Sequence, residues 1–162
     1  MKEIMFSRVF PAHHPRNGEP THFVEQMLKQ LITDDKATTE YLKYSPYVDC
    51  SVLDAVGYKG HTIRKGHNFK PGDYFKPKIW TEKPYASVKY QFAPPVLVEK
   101  TFDFVIKTGS IFINNVHFAH YGDVCRNDGL HPVDFRAWFH IDNYLNHDFD
   151  GQIICWNAEI QY

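Results

Sequence analysis

A lysine, a threonine and an arginine sit close together in Gly57-Tyr58-Lys59-Gly60-His61-Thr62-Ile63-Arg64, and their side chains have complementary chemistry. An amine can take a proton, a hydroxyl can add to an acyl carbon, and a guanidinium grips an anion with two parallel N–H donors. The alternation of His61 to Arg64 predicts a strand, with Thr62 and Arg64 on one face and Ile63 directed into the core. Lys59 lies just upstream, where a loop can fold its ammonium back towards the Thr62 hydroxyl. Acyl transfer would then use Thr62 Oγ1 as nucleophile and Lys59 as its base. Lysine works as a base near neutrality only when burial or a neighbouring cation lowers its pKa, and Arg64 is a suitable neighbour. Backbone amides near Gly60 would hold the oxyanion. The same three residue types are ordinary on a solvent-facing strand, so the pattern by itself leaves a plain structural role open.

The stretch also opens a run of cations interleaved with rings. Arg64, Lys65, Lys70, Lys76 and Lys78 alternate with His67, Phe69, Tyr74, Phe75 and Trp80. Rings stack on unpaired bases while cations hold phosphates, a mixture suited to single-stranded RNA or one splayed nucleotide. Strand periodicity divides the set. Tyr74, Lys76 and Lys78 share one face, and Phe75, Pro77 and Ile79 share the other, where they would be plain core. The formal net charge over 162 residues is −1, so there is no global basic field to coat long nucleic acid. Ligand binding would fall to a local cluster of Arg64, Lys65 and Lys70.

The elements that must position these groups are short and β-rich. The length suits a single domain over residues 1–162, and an aromatic content of 16% suits a compact β-rich core or exposed stacking surfaces. Ile4 to Phe10 reads as a first strand, followed by a Pro/Gly loop that carries His13, His14 and Arg16. Thr21 is placed to cap a helix with Phe23, Met27, Leu28 and Leu31 on one face. Residues 33–48 show no clean period, and a second short helix is expected through Val52, Leu53 and Val56, ending near Gly57. Lys70-Pro71-Gly72-Asp73 is a turn. Strands are expected over Tyr74 to Trp80, Ser87 to Phe92, Val96 to Lys107 and Ser110 to Asn114. Residues 117–128 fit a short helix, Pro132 to His140 a better one, and Ile153 to Trp156 a closing buried strand. Strands outnumber helices and short turns join several of them. That predicts an α+β chain built on a small mixed barrel rather than a doubly wound sheet.

Read as G-x-K-x-x-T-x-R with a polar spacer and the Gly72-Asp73 turn behind it, the motif resembles the signature of the ASCH domain. The resemblance extends over most of the chain. A strand and helix precede the motif, Asn127-Asp128-Gly129-Leu130 leads a helix reaching Trp138 and Phe139, and a hydrophobic strand closes the order. It implies a PUA-like mixed β-barrel with flanking helices that binds RNA or a modified nucleoside, with no cofactor. One branch of the family consists of N4-acetylcytidine amidohydrolases, whose catalytic group is the motif lysine and threonine with a downstream glutamate. Carried over by position, these are Lys59, Thr62 and Asp128, an aspartate here, with Arg64 as the motif arginine. As an enzyme the chain would hydrolyse an amide of a modified nucleoside or cleave RNA. Residues 33–56 stand as an insertion between helix and motif, which the family joins closely, and would form a lid over the barrel mouth or elaborate the surface. The chain also looks like small proteins of bacterial or phage origin.

Ten histidines invite a metal reading, yet His13-His14 and His117-x-x-His120 are the close pairs and neither carries a zinc-type acidic or cysteine pattern. No metal is expected. Cys50, Cys125 and Cys155 form no CxxC pair, and Met1 to Phe10 is charged without a long apolar run. Reduced thiols, no signal peptide, no membrane span and a cytoplasmic location are the expectations.

Overall fold

The computed structural model describes residues 1–143 and 147–162. In chain order, β1 (Lys2–Met5), α1 (Phe23–Thr33), α2 (Glu40–Tyr44) and a 3₁₀ helix (Cys50–Val52) precede β2 (His61–Lys65). Then come β3 (Tyr74–Trp80), β4 (Lys89–Gln91), β5 (Val96–Leu97), β6 (Lys100–Lys107), β7 (Ser110–Ile113) and β8 (Val116–His117). The order closes with α3 (Gly122–Asn127), α4 (Pro132–Trp138) and β9 (Phe149–Cys155).

Two sheets form. One runs β1-β3-β4, with β5 also on β3, and the other β2-β9-β6-β7-β8. The chain is α+β, but the expected closed barrel is absent, since β2 and β8 end the second sheet without pairing to each other. The corner between β5 and β6 shows why. Val98 N–H donates to Asp73 O, just before β3 of the first sheet, and Glu99 N–H to Cys155 O of the second, both at 2.8 Å. Consecutive amides thus serve different sheets. The single strand expected over Val96 to Lys107 is two strands, and the chain crosses over instead of carrying one ladder round.

Other expectations shift for local reasons. The first strand lies earlier than Ile4 to Phe10, because after Phe6 N–H reaches Lys78 O (2.8 Å) the chain turns back and Phe10 N–H bonds Glu19 O (2.9 Å). The helix expected through Val56 is only the 3₁₀ helix at Cys50–Val52, and α2 was not anticipated. Thr21 lies one residue before the cap position of α1. His22 holds that position at φ 58°, while the Thr21 hydroxyl accepts from Phe23 N–H at 3.4 Å and donates to Ser7 O at 2.6 Å. The positions of α1, α4, β2 and β3 follow the periodicities closely, whereas β9 begins at Phe149, well before the expected Ile153, and ends at Cys155.

The core spans both sheets and α1. β3 buries Phe75, Pro77 and Ile79, as its alternation requires. Phe75 packs on Trp156 with ring centroids 5.9 Å apart, and Phe6 meets Trp156 at 6.0 Å and Phe92 at 5.6 Å. Such tilted and edge-on contacts add about 0.5–1.5 kcal/mol per pair beyond area burial.

Gly151 of β9 lies opposite Lys65 on one side and Phe104 on the other. A Cβ there would collide with the carbonyl oxygen of Arg64, a backbone atom held by the ladder. Gly151→Ala should therefore cost about 1–3 kcal/mol, seen as a lower urea midpoint. Gly122→Ala, where a Cβ meets nothing within 4 Å, should be neutral or slightly stabilising in the same titration.

Candidate functional site

Lys59, Thr62, Arg64 and Asp128 line one cavity of about 780 Å³. Rings of Phe23, Tyr47, Trp80, Tyr85 and Trp138 form much of the remaining wall.

The backbone around Lys59 is wired to three elements. Lys59 N–H donates to Gln26 O of α1 (3.3 Å) and Gly60 N–H to Asn127 O of α3 (2.9 Å). Trp156, just past β9, donates Nε1–H to Lys59 O (2.9 Å) and N–H to Gly60 O (3.0 Å). The Lys59 side chain, 1% exposed, donates to the Asp128 carbonyl and, at 2.7 Å, to Asp128 Oδ1. Its ammonium also sits 4.2 Å from the Phe23 ring centroid.

Asp128 arrives by a route the sequence did not suggest. It caps the C-terminus of α3 rather than leading the next helix. Gly129 at φ +77° follows, with Gly129 N–H on Arg126 O and Leu130 N–H on Cys125 O, both at 3.0 Å, which satisfies the last carbonyls of α3. The start of α4 does not reach the cavity either. Its Asp134 bonds Arg16 Nη1 at 2.8 Å and accepts through its carbonyl from His14, while Trp138 at the other end of α4 lines the cavity.

Thr62 and Arg64 share a face of β2, as alternation requires, and both reach the cavity. Arg64 Nη2 donates to Met5 O at 2.6 Å, but the buried Nε has no partner among the described residues. Among the described residues Thr62 Oγ1 makes no hydrogen bond, and Lys59 Nζ is taken up by Asp128 rather than by Thr62. Lys65 and Lys70 are exposed and do not line the cavity. For Lys65 the reason is the same alternation that admits Arg64. Three lysines of the first sheet are held by carboxylates: Lys2 by Asp73 (2.8 Å), and Lys78 and Lys89 by Glu3, whose carboxyl they pull down to about 2.

Several lining residues escaped the sequence reading. Arg8, His22 and Glu25 come from the first loop and α1, and Pro46 to Asp49 from the segment read as an insertion. Glu25 Oε1 accepts from Asp49 N–H at 2.9 Å, tying that segment to the helix. No period in residues 33–48 marks them, because a wall made from a loop follows no repeat.

Burial governs the electrostatics. It pushes Lys59 below its ordinary pKa, against the attraction of Asp128, with Arg64 adding to the depression. It pushes the Asp128 carboxyl up, against Lys59 and Arg64. The Arg64 guanidinium is lowered by burial and opposed by Asp128. Cys125 and Cys155 are driven by burial up to about 12, so neither thiol is a nucleophile near neutrality. Among the described residues no group of three or more His, Cys, Asp or Glu is placed to hold a metal ion. No helix among them is long and apolar enough to cross a membrane.

No family model, no curated protein and no solved structure matches this chain.

The buried pair makes two expectations measurable. Lys59→Met or Asp128→Leu alone leaves a lone buried charge and should cost about 3–5 kcal/mol. The double variant should cost much less than the two together, in urea titrations of all four proteins. Lysine 59 has a folded pKa below its unfolded value of about 10.5, so its contribution is present above that value and lost as pH falls through the folded one. Asp128 has the opposite sign: its contribution is present below the unfolded value near 3.8 and lost as pH rises through the folded one. Wild-type stability should therefore rise, relative to the double variant, as pH climbs from the folded Lys59 value towards 10.5.

Proposed function

We propose that this chain binds RNA or a modified nucleoside through the cavity of Lys59, Thr62, Arg64 and Asp128, with one base held between its aromatic walls. The observation that carries this reading is the meeting, in a ring-lined cavity, of a Thr62 hydroxyl that makes no hydrogen bond among the described residues and a buried Arg64 Nε with no partner among them. Rings supply stacking surface for a base, and the free polar atoms supply directional contacts. A volume of about 780 Å³ is in the range of small-molecule sites. The resemblance of Lys59-x-x-Thr62-x-Arg64 to the ASCH motif supports the same ligand class, and an ASCH-like, PUA-related origin belongs to the proposal. Ion pairing of Lys2, Lys78 and Lys89, and the exposed position of Lys65 and Lys70 outside the cavity, favour a nucleoside or one splayed nucleotide over a long strand.

A second reading, removal of the acetyl group from N4-acetylcytidine, is favoured by the buried Lys59–Asp128 contact. Thr62 Oγ1 would add to the acetyl carbon, the Lys59 amine would take the hydroxyl proton, and cytidine would leave with a proton on its exocyclic nitrogen. Water would then release acetate from the acyl-threonine. The base step requires a free lone pair on Lys59, which its present contacts with Asp128 do not provide.

Binding is tested by titrating the protein with cytidine, N4-acetylcytidine and a short single-stranded RNA at several salt concentrations. Arg64→Ala should weaken binding tenfold or more, a loss of about 1.4 kcal/mol. Lys65→Ala and Lys70→Ala should leave nucleoside binding unchanged. RNA should show a shallow salt slope, at about 0.7 per phosphate contacted. No binding of any of the three ligands would overturn the proposal. Hydrolysis is tested by release of cytidine from N4-acetylcytidine, which should vanish in Thr62→Val and in Lys59→Ala. Absence of cytidine from the wild type would remove the hydrolase reading and leave the binding one.

A further inference from the structure

We infer that His61 is a positioning residue of this site: its Nδ1 is the acceptor that draws the shared proton of the Lys59–Asp128 pair away from the amine. The catalytic consequence rests on the hydrolase reading above, but the proton geometry does not.

His61 is fully buried on the face of β2 opposite Thr62 and Arg64, towards α3. Its Nε2 lies 3.1 Å from the Val124 carbonyl oxygen. A carbonyl only accepts, so the ring proton is on Nε2 and Nδ1 carries a lone pair. Among the described residues that Nδ1 has no hydrogen-bond partner, and it lies 3.8 Å from Asp128 Oδ1. Two acceptors turned towards each other in the interior are unfavourable until a proton lies between them. The same Oδ1 already accepts from Lys59 Nζ at 2.7 Å, so the proton is at hand.

The step is internal and balanced. An N–H bond of the Lys59 ammonium breaks and its electron pair stays on Nζ. The proton bonds Asp128 Oδ1, turning ammonium and carboxylate into amine and carboxylic acid with no change in net charge. The new O–H has two acceptors within reach, Nζ and His61 Nδ1. Closing the present 3.8 Å separation to about 2.8 Å makes an O–H···N bond to His61 and frees the amine lone pair. With no acceptor at position 61, the O–H loses one of these two acceptors and its return to Nζ is favoured. Burial supports this direction, since it lowers Lys59 and raises Asp128, and it holds His61 neutral, with the Lys59 charge adding to that effect.

Other polar groups around the ring do not compete for the proton. From the C-terminal segment, Tyr162 meets the ring edge-on at 5.8 Å, and its hydroxyl accepts from Asn127 Nδ2 at 2.9 Å. Cys155, opposite His61 on β9, and Cys125 on α3 are thiols pushed up to about 12. Arg64, on the same strand, acts on both members of the pair by its charge. Lys100 of β6 is engaged with Ile160 O at 3.0 Å.

Nuclear magnetic resonance tests this without any ligand. In histidine-labelled protein, the ring nitrogens of His61 should show the Nε2–H tautomer throughout the neutral range. In lysine-labelled protein, the proton affinity of Lys59 should rise about tenfold in His61→Phe, which keeps the ring and removes the acceptor. His61→Asn, whose amide oxygen restores an acceptor near the Nδ1 position, should return Lys59 towards its wild-type behaviour. A proton on Nδ1, an unmoved Lys59 in folded His61→Phe, or no recovery in His61→Asn would each overturn the inference. Should His61→Phe fail to fold, the wild-type tautomer decides alone. Because no nucleoside enters these measurements, failure of the binding proposal leaves their outcome intact.

Discussion

An ammonium and a carboxylate taken out of water together lose several kcal/mol of hydration each, and only close contact with complete hydrogen bonding offsets that loss. Lys59 and Asp128 meet this demand, and much of the fold is arranged so that they can. The Lys59–Gly60 backbone is bonded to α1, α3 and the residue after β9, so the loop before β2 has little freedom to move. Asp128 is held by the end of α3, where Gly129 takes the left-handed conformation that turns the chain away. The Lys59 ammonium also bonds the Asp128 carbonyl, placing a cation where α3 leaves carbonyls without helical partners. One ion pair therefore anchors the cavity, closes a helix and ties β2 to the rest of the core.

The cavity exists because the sheets do not close on each other. A chain that continued from β5 into β6 along one ladder would curl towards a barrel filled with side chains. Here the amides of Val98 and Glu99 turn to different sheets, and space remains between β2, α1 and the loops at the end of β3. Rings fill much of that wall, while the Thr62 hydroxyl and Arg64 Nε have no partner among the described residues. His22, at φ 58°, stands at the same wall, a backbone conformation that most side chains avoid and that clusters at functional positions.

The chemistry of the site depends on which proton sits where, and here packing outweighs residue type. Lysine in water is no base at neutral pH, and aspartate in water holds no proton there. Burial moves both towards neutrality while their mutual attraction opposes the change. The outcome of that contest is sensitive to one more acceptor, which is why a histidine at an unspecified position of the motif bears on the motif's behaviour.

Local pattern in the sequence determined a good deal. The two-residue repeat put Thr62 and Arg64 on one face of β2 and Phe75, Pro77 and Ile79 in the core of β3. The apolar spacing of Phe23 to Leu31 marked α1, and Pro132 marked the first turn of α4. The pairing of Lys59 with Asp128 came only from a motif likeness, and the pattern at 127–130 suggested the wrong end of the wrong helix. Tertiary structure alone decided that Lys59 gives its donors to Asp128 instead of Thr62, that Lys65 and Lys70 stay outside the cavity, and that Pro46 to Asp49 form part of its wall. It also decided that Val96 to Lys107 is two strands in two sheets. The reason is physical: alternation and capping act over a few residues, whereas hydrogen-bond partners, burial and the proton affinities that follow from it are set by segments 60 to 100 residues apart in the chain.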